Sequence, residues 1–178
     1  MSTDPIAALY GALRTVPDFP EPGVQFKDIS PILADPALLR SAVRALAAPY
    51  ADMGITKVVG VESRGFLFGT PMADWLGAGF VLARKPGKLP AATLREDYAL
   101  EYGTDAVEIH ADALGPDDRV LIHDDVIATG GTASAAARLV ERVGAEVIGF
   151  AFLIELAFLN GREQLPDGLP VHVVLDVK

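Results

Sequence analysis

The 178-residue sequence predicts an α/β fold, with a mostly parallel central sheet and helices on both faces. Three observations carry that prediction. From Lys57 onward, short and nearly unbroken apolar runs alternate with helical patterns, as strands buried on both faces require. Two of the helical stretches close on a glycine, at Gly77 and Gly144. One apolar run leads through a Gly-rich turn into a helix, and ligands of open parallel sheets bind at such strand ends.

In chain order, Pro5 to Leu13 has modest helical spacing, and Val16 to Gly23 breaks it with three prolines and a glycine. Phe26 to Pro31 reads as a short extended or turn piece. Asp35-Pro36 starts a helix, with the Asp as cap and the Pro at the first helical position; Leu38, Leu39, Ala42, Val43, Leu46 and Ala47 continue it to Pro49. Strands are expected at Lys57 to Val61, Gly79 to Ala83, Val107 to His110, Val120 to His123, Val147 to Leu153 and Val171 to Leu175. Helices are expected at Phe66 to Leu76 and Ala133 to Val143. Pro86 to Thr104 shows no sustained periodicity. A loop of that length directly after a strand predicts an active-site lid, with a surface hairpin as the alternative.

Composition narrows the function classes. With 51% hydrophobic and 22% charged residues, the chain is globular, and its length fits one domain over residues 1–178. A net charge of −9 argues against nucleic acid or an anionic membrane as partner, so any anionic substrate must meet a local basic cluster. The absence of cysteine excludes disulfides and thiolate zinc sites. Met1 to Pro20 lacks the pattern of a secretory signal, and the longest apolar run, Val147 to Ile154, is too short to span a bilayer; a cytoplasmic protein is expected.

The densest chemistry lies in Val120 to Thr132, V-L-I-H-D-D-V-I-A-T-G-G-T. A helix N-terminus offers unpartnered N–H groups and partial positive charge, glycines let a phosphate approach the backbone, and threonine hydroxyls can donate to it. The carboxylates of Asp124 and Asp125 would repel that phosphate and suit hydroxyls or a metal. A sugar phosphate satisfies both ends. Glu62-Ser63-Arg64-Gly65 leaves another strand through a turn into a helix and suits a second phosphate or a pyrophosphate. Its rival reading is a nucleophile elbow on Ser63, which fails where Val61 replaces the first glycine. Arg84-Lys85-Pro86-Gly87-Lys88 places three cations in five residues, suiting a polyanion, with an exposed basic turn as the plain alternative.

The signature stretch resembles the phosphoribosyl-pyrophosphate motif of the type I phosphoribosyltransferases, with His123 in place of the usual fourth hydrophobic residue. Four further stretches are similar to the adenine-specific branch of that family: Asp18 to Pro31, Val58 to Gly69, Arg84 to Pro90 and Leu100 to Thr104. The first and last of these separate the branch from orotate, uracil and hypoxanthine-guanine relatives.

The resemblance implies the type I phosphoribosyltransferase fold, with residues 1–34 contributing a base-binding hood. It also implies transfer of the 5-phosphoribosyl group from phosphoribosyl pyrophosphate to adenine, giving AMP and pyrophosphate in purine salvage. Asp124 and Asp125 would hold the ribose hydroxyls, and Ala128, Thr129, Gly130, Gly131 and Thr132 the 5′-phosphate. Glu62, Ser63, Arg64, Arg84, Lys85 and Lys88 would meet the pyrophosphate, partly across a homodimer. Gln25 and Phe26 would bind adenine; Lys27 stands where many relatives carry arginine. Tyr102 would lie on the mobile loop beside Glu101, which with Arg64 forms the expected catalytic pair, Glu101 as acid toward the purine. Magnesium is the implied cofactor, near Asp124 and Asp125 through the donor, without a dedicated protein cage. Transfer to another base, and a non-catalytic phosphoribosyl-pyrophosphate sensor, are the alternatives. The Leu100 to Gly103 loop and the lack of a basic stripe disfavour the sensor.

Overall fold

The computed structural model describes residues 4–100 and 103–178, with the side chains of Ala99 and Leu100 also outside that description. Five parallel strands form the central sheet: β3 (Lys57–Val61), β4 (Gly79–Ala83), β7 (Arg119–Ile127), β8 (Glu146–Leu156) and β9 (Val171–Val177), in the order β4-β3-β7-β8-β9. The first of these along the chain therefore has the second on one side and the third on the other. The chain leaves β3 one way and later returns to the opposite edge, which opens a crevice at the carboxyl ends of β3 and β7.

Two hydrophobic clusters sandwich the sheet. On one face, α1 (Pro5–Ala12), α3 (Pro36–Ala47) and α4 (Gly65–Leu76) pack with Leu121, Ile148, Ala151 and Leu153. On the other, α5 (Gly131–Arg142) packs with Val59, Ile122 and Phe150. The expected helix starts and stops are present. Asp35 Oδ1 accepts from the amides of Ala37 (2.7 Å) and Leu38 (3.1 Å), and Gly77 ends α4 in the left-handed region.

Several strands outrun the sequence pattern, β7 and β8 among them. β7 continues past His123 through both aspartates because β8 pairs with it as far as Ile127↔Glu155. β8 itself reaches Leu156, with Leu156 paired to Val177 of β9. Neighbouring backbones satisfy their hydrogen bonds here, so charged residues sit in strand geometry.

The segment expected as an irregular lid is largely regular. Thr93–Leu100 (β5) pairs antiparallel with Gly103–His110 (β6), from Thr93↔His110 to Leu100↔Gly103. The period-two pattern is masked by charge: Leu94 and Tyr98 belong to the core on the α5 face, and Glu96 between them bonds Arg138 and Arg142. Arg95 and Asp97 pair on the other, exposed side. Near the N-terminus, β1 (Arg14–Pro17) and β2 (Gln25–Asp28) form a second antiparallel ribbon, followed by the short helix α2 (Ser30–Ala34).

One buried hydroxyl ties the α3 layer to the sheet. Tyr50, 1% exposed, donates to the Phe150 carbonyl at 2.6 Å, and burial pushes its phenol up to about 12. Tyr50→Phe removes that bond and leaves the ring. It should cost about 1–2 kcal/mol, read as a lower urea midpoint with an unchanged m-value.

Candidate active site

The crevice at the ends of β3 and β7 gathers most of the residues singled out by sequence. Beyond Ile127 the chain turns through Ala128-Thr129-Gly130 into α5, whose cap residue, Gly130, has φ +80° and no side-chain cap. The first amides of α5 thus stay open to an anion, in a cavity of about 80 Å³ lined by residues 126–133 and Phe152. A Cβ on Gly130 would fall 2.1 Å from the Gly161 carbonyl oxygen, and one on Gly161 would fall 2.2 Å from that of Ala128. Two loops therefore meet backbone to backbone. Gly161 was not legible as a site residue, because its role exists only through this contact.

Asp124 and Asp125 stand just before that turn. Asp124 Oδ1 accepts from the Asp125 amide at 2.8 Å, and Asp125 is only 2% exposed. Burial raises both carboxyls above the usual aspartate range. The negative charge of Asp125 adds to the rise on Asp124, and Arg64 opposes it at both. Arg64 Nε lies 2.9 Å from Asp125 Oδ2, but off the axis of a hydrogen bond, so that buried oxygen has no hydrogen-bond donor. Gly65 makes the approach possible: a Cβ there would sit 3.1 Å from Asp124 Oδ1 and from the His123 carbonyl oxygen. Two carboxylates are too few oxygens for a magnesium cage, and no group of three or more His, Asp or Glu occurs among the described residues. The unsatisfied oxygen suits a hydroxyl donor, or a cation that brings its own ligand and water oxygens.

Arg64, at the start of α4, also reaches the N-terminal ribbon. Its guanidinium carbon lies 5.0 Å from the centre of the Phe26 ring, and Phe19 meets that ring edge-on at 5.1 Å. Phe26, Phe19, Arg64, Leu33 and Leu67 line an open cavity of about 480 Å³ with Asp28 at its side. Hydrogen bonds from Ser30, then the contact with Arg14, lower the Asp28 carboxyl to about 2. Alternation along β2 sends Gln25 and Lys27 to a different groove, shared with Phe158 and Leu159, while Phe26 lines this cavity. Phe19 and Leu67 were missed because their sequence positions, in a proline-rich turn and on an apolar helix, carry no sign of a cavity.

The basic cluster is held by carboxylates. Glu62 accepts from Arg84 Nε (2.9 Å) and from the Lys85 amide (3.0 Å), so its carboxylate orients the cations instead of facing an anion itself. Arg84 also donates to the Lys88 carbonyl at 3.0 Å, which fixes the turn. Lys85 Nζ bonds Asp105 and, at 3.1 Å, the Tyr98 hydroxyl. Ser63 follows a cis peptide, Nδ1 of His123 is bonded to the Ala151 carbonyl and Nε2 of His172 to that of Ala45. Glu101 and Tyr102 lie outside the described residues.

His123 lies next to the aspartates in sequence but not in environment. It is fully buried, its Nδ1 is 2.8 Å from the Ala151 carbonyl, and it meets Phe68 edge-on at 6.4 Å. It is thus a core residue that orients no carboxylate. Burial lowers its pKa to about 4 from an ordinary 6.5, so the ring is neutral in the folded protein near neutral pH.

Residues 29–174 match the family described as Phosphoribosyl transferase domain. An adenine phosphoribosyltransferase of Synechococcus sp. (strain JA-3-3Ab) is 60% identical over 168 residues, covering 94% of this chain and 96% of that one. The crystal structure of adenine phosphoribosyltransferase from Rhodothermus marinus DSM 4252 superposes with a TM-score of 0.94 at 62% identity, covering 97% of this chain and 98% of that one. The Saccharomyces cerevisiae enzyme, crystallised with an imino-altritol bisphosphate and adenine, gives a TM-score of 0.90 at 42% identity, with 96% and 98% covered.

The state of His123 predicts a pH dependence. Below pH 6.5 the unfolded chain takes up a proton that the folded protein refuses until about pH 4. Its contribution to stability is therefore complete above 6.5 and is lost as the pH falls, by about 2–3 kcal/mol at pH 4. His123→Val should remove this part of the slope, as urea melts of both proteins at about pH 7 and pH 4.5 would report.

Proposed function

The chain belongs to the phosphoribosyl transferase family, and from that premise we infer that it transfers the 5-phosphoribosyl group from phosphoribosyl pyrophosphate to adenine, releasing pyrophosphate and AMP. The observation that carries the reading is Arg64, which touches both the acidic pair and the aromatic pocket and so joins a sugar-phosphate site to a base site. The residue roles follow from the chemistry each position offers.

The open amides of α5, that of Thr132 among them, and the hydroxyl of Thr129 take the 5′-phosphate. Asp124 and Asp125 accept from the ribose hydroxyls, which supply the donor that Asp125 Oδ2 lacks. Arg64, Arg84, Lys85 and Lys88, with the amides near Ser63, take the pyrophosphate; Glu62 aims Arg84 at it. Adenine lies on Phe26 with its edge toward β2, Gln25 included. Asp124 and Asp125 would lie beside a magnesium ion brought in with the donor, and that ion would supply neutralisation of the pyrophosphate charge. The ring nitrogen of adenine attacks the anomeric carbon as the bond to pyrophosphate breaks. Positive charge develops on the sugar, and no protein nucleophile is needed. The protein's contribution is to align the two reactants, stabilise the departing pyrophosphate and keep water away. Glu101, which follows β5 directly in the chain, is the proposed acid toward the purine in the reverse direction, and so the acceptor of the proton that adenine gives up as AMP forms.

A single domain over residues 1–178 with its hood in residues 1–34, a cytoplasmic location and a homodimer complete the proposal. Among the described residues no helix is long and apolar enough to cross a membrane. On α4, Trp75 is 44% exposed, apolar area that a second copy would cover.

The deciding experiment offers adenine, hypoxanthine, guanine and orotate in parallel, with phosphoribosyl pyrophosphate and magnesium, and measures pyrophosphate release. Release with adenine alone supports the reading; release with another base discards the account of the pocket. Phe26→Ala should raise the KM for adenine roughly tenfold or more through lost stacking, with little change in the KM for the donor. Glu101→Ala should lower turnover roughly 10²-fold while donor affinity, measured by calorimetry, stays close to wild type.

A further inference from the structure

Three groups from separate parts of the chain meet at one hydroxyl. Tyr98 is 7% exposed and projects from β5. Its oxygen accepts from Thr132 Oγ1 at 3.0 Å and from Lys85 Nζ at 3.1 Å, and its proton goes to Asp105 Oδ2 at 3.1 Å. Thr132 is in the first turn of α5, Lys85 in the basic turn after β4, and Asp105 on β6. We propose that Tyr98 is a positioning residue that sets the spacing between the two phosphate-binding ends of the donor site, using the contacts of its hydroxyl with Thr132 and Lys85. This rests on the assignment of the 5′-phosphate to the α5 turn and of pyrophosphate to the basic cluster.

The surroundings favour a rigid gauge over an incidental contact. β5 is fixed on α5 at three successive inward positions: Leu94 in the core, Glu96 on Arg138 (2.6 Å) and Arg142 (3.3 Å), and Tyr98 on Thr132. Arg138 in turn donates to Ser134 at 2.9 Å. The Lys85–Asp105 pair also stays charged. Burial opposes both charges, but hydrogen bonding holds the Lys85 ammonium above and the Asp105 carboxyl below their ordinary ranges. The Tyr98 hydroxyl is therefore saturated by one neutral and two charged neighbours, and such bonds are strongly directional.

A gauge of this kind has a signature that a merely structural residue lacks. A ligand with one anionic group uses one end of the site and does not sense the spacing. A ligand that bridges both ends does. Tyr98→Phe keeps the buried ring and deletes the junction. In that variant the KM for phosphoribosyl pyrophosphate should rise about tenfold, the scale of a lost charge-assisted hydrogen bond. Ribose 5-phosphate alone and pyrophosphate alone, each titrated by calorimetry with magnesium, should bind within about twofold of wild type, and the KM for adenine should hold. An unchanged donor KM would overturn the proposal. So would equal losses for donor and fragments, which would make Tyr98 a support of the fold and not of the spacing. Thr129→Val tests the underlying assignment separately: if it leaves ribose 5-phosphate affinity intact, the phosphate is not in the α5 turn and both readings fall.

Discussion

The contact between Arg64 and Asp125 is the constraint around which the site is arranged. An aspartate at the end of a central strand would be costly to bury alone, and burial does push its pKa upward. Arg64 offsets that cost from the N-cap of α4, which can come this close only because residue 65 has no side chain. The same guanidinium then lies against Phe26, so the position of the N-terminal ribbon depends on the acidic pair of the sheet. Base pocket and sugar site are thus linked by one side chain fixed at both faces.

The remaining cations follow the same logic. Arg84 is held by Glu62, and Lys85 by Asp105 and Tyr98. In a chain of net charge −9, an unshielded cluster of cations would draw in whichever carboxylates lie nearby. Here the carboxylates are built in at fixed places, so the cations are already aimed before a polyanion arrives, and less ordering remains to be done on binding. Each carboxylate also sets a cost, since an anionic ligand must compete with it or share its cation.

Strand pairing explains where local reading failed. Leu94 to Tyr98 alternates correctly, but Glu96 occupies an inward position that only two arginines from α5 make acceptable. Without those partners the stretch reads as an irregular loop. Likewise His123 looks functional beside two aspartates. Its place in the strand instead turns the ring into the α4 layer, onto Phe68 and the Ala151 carbonyl. Gln25 and Phe26 are neighbours in sequence, yet a strand sends alternate side chains to opposite faces, and only Phe26 enters the pocket.

The sequence by itself determined the parallel α/β class, the helix caps at Asp35 and Gly77, the acidic pair, and the Gly-rich anion turn. Each of these depends on residues close together in the chain: apolar runs bury strands, a capping carboxylate meets amides two or three residues on, and glycine supplies a positive φ. The tertiary structure alone decided the order β4-β3-β7-β8-β9, the meeting of Gly130 with Gly161, and the convergence of Lys85, Tyr98, Asp105 and Thr132. These join residues as far apart in the chain as Lys85 and Thr132, or Gly130 and Gly161, and no local pattern encodes them. They arise because burying both faces of one sheet leaves few ways to bring its strands, and so their loops, together.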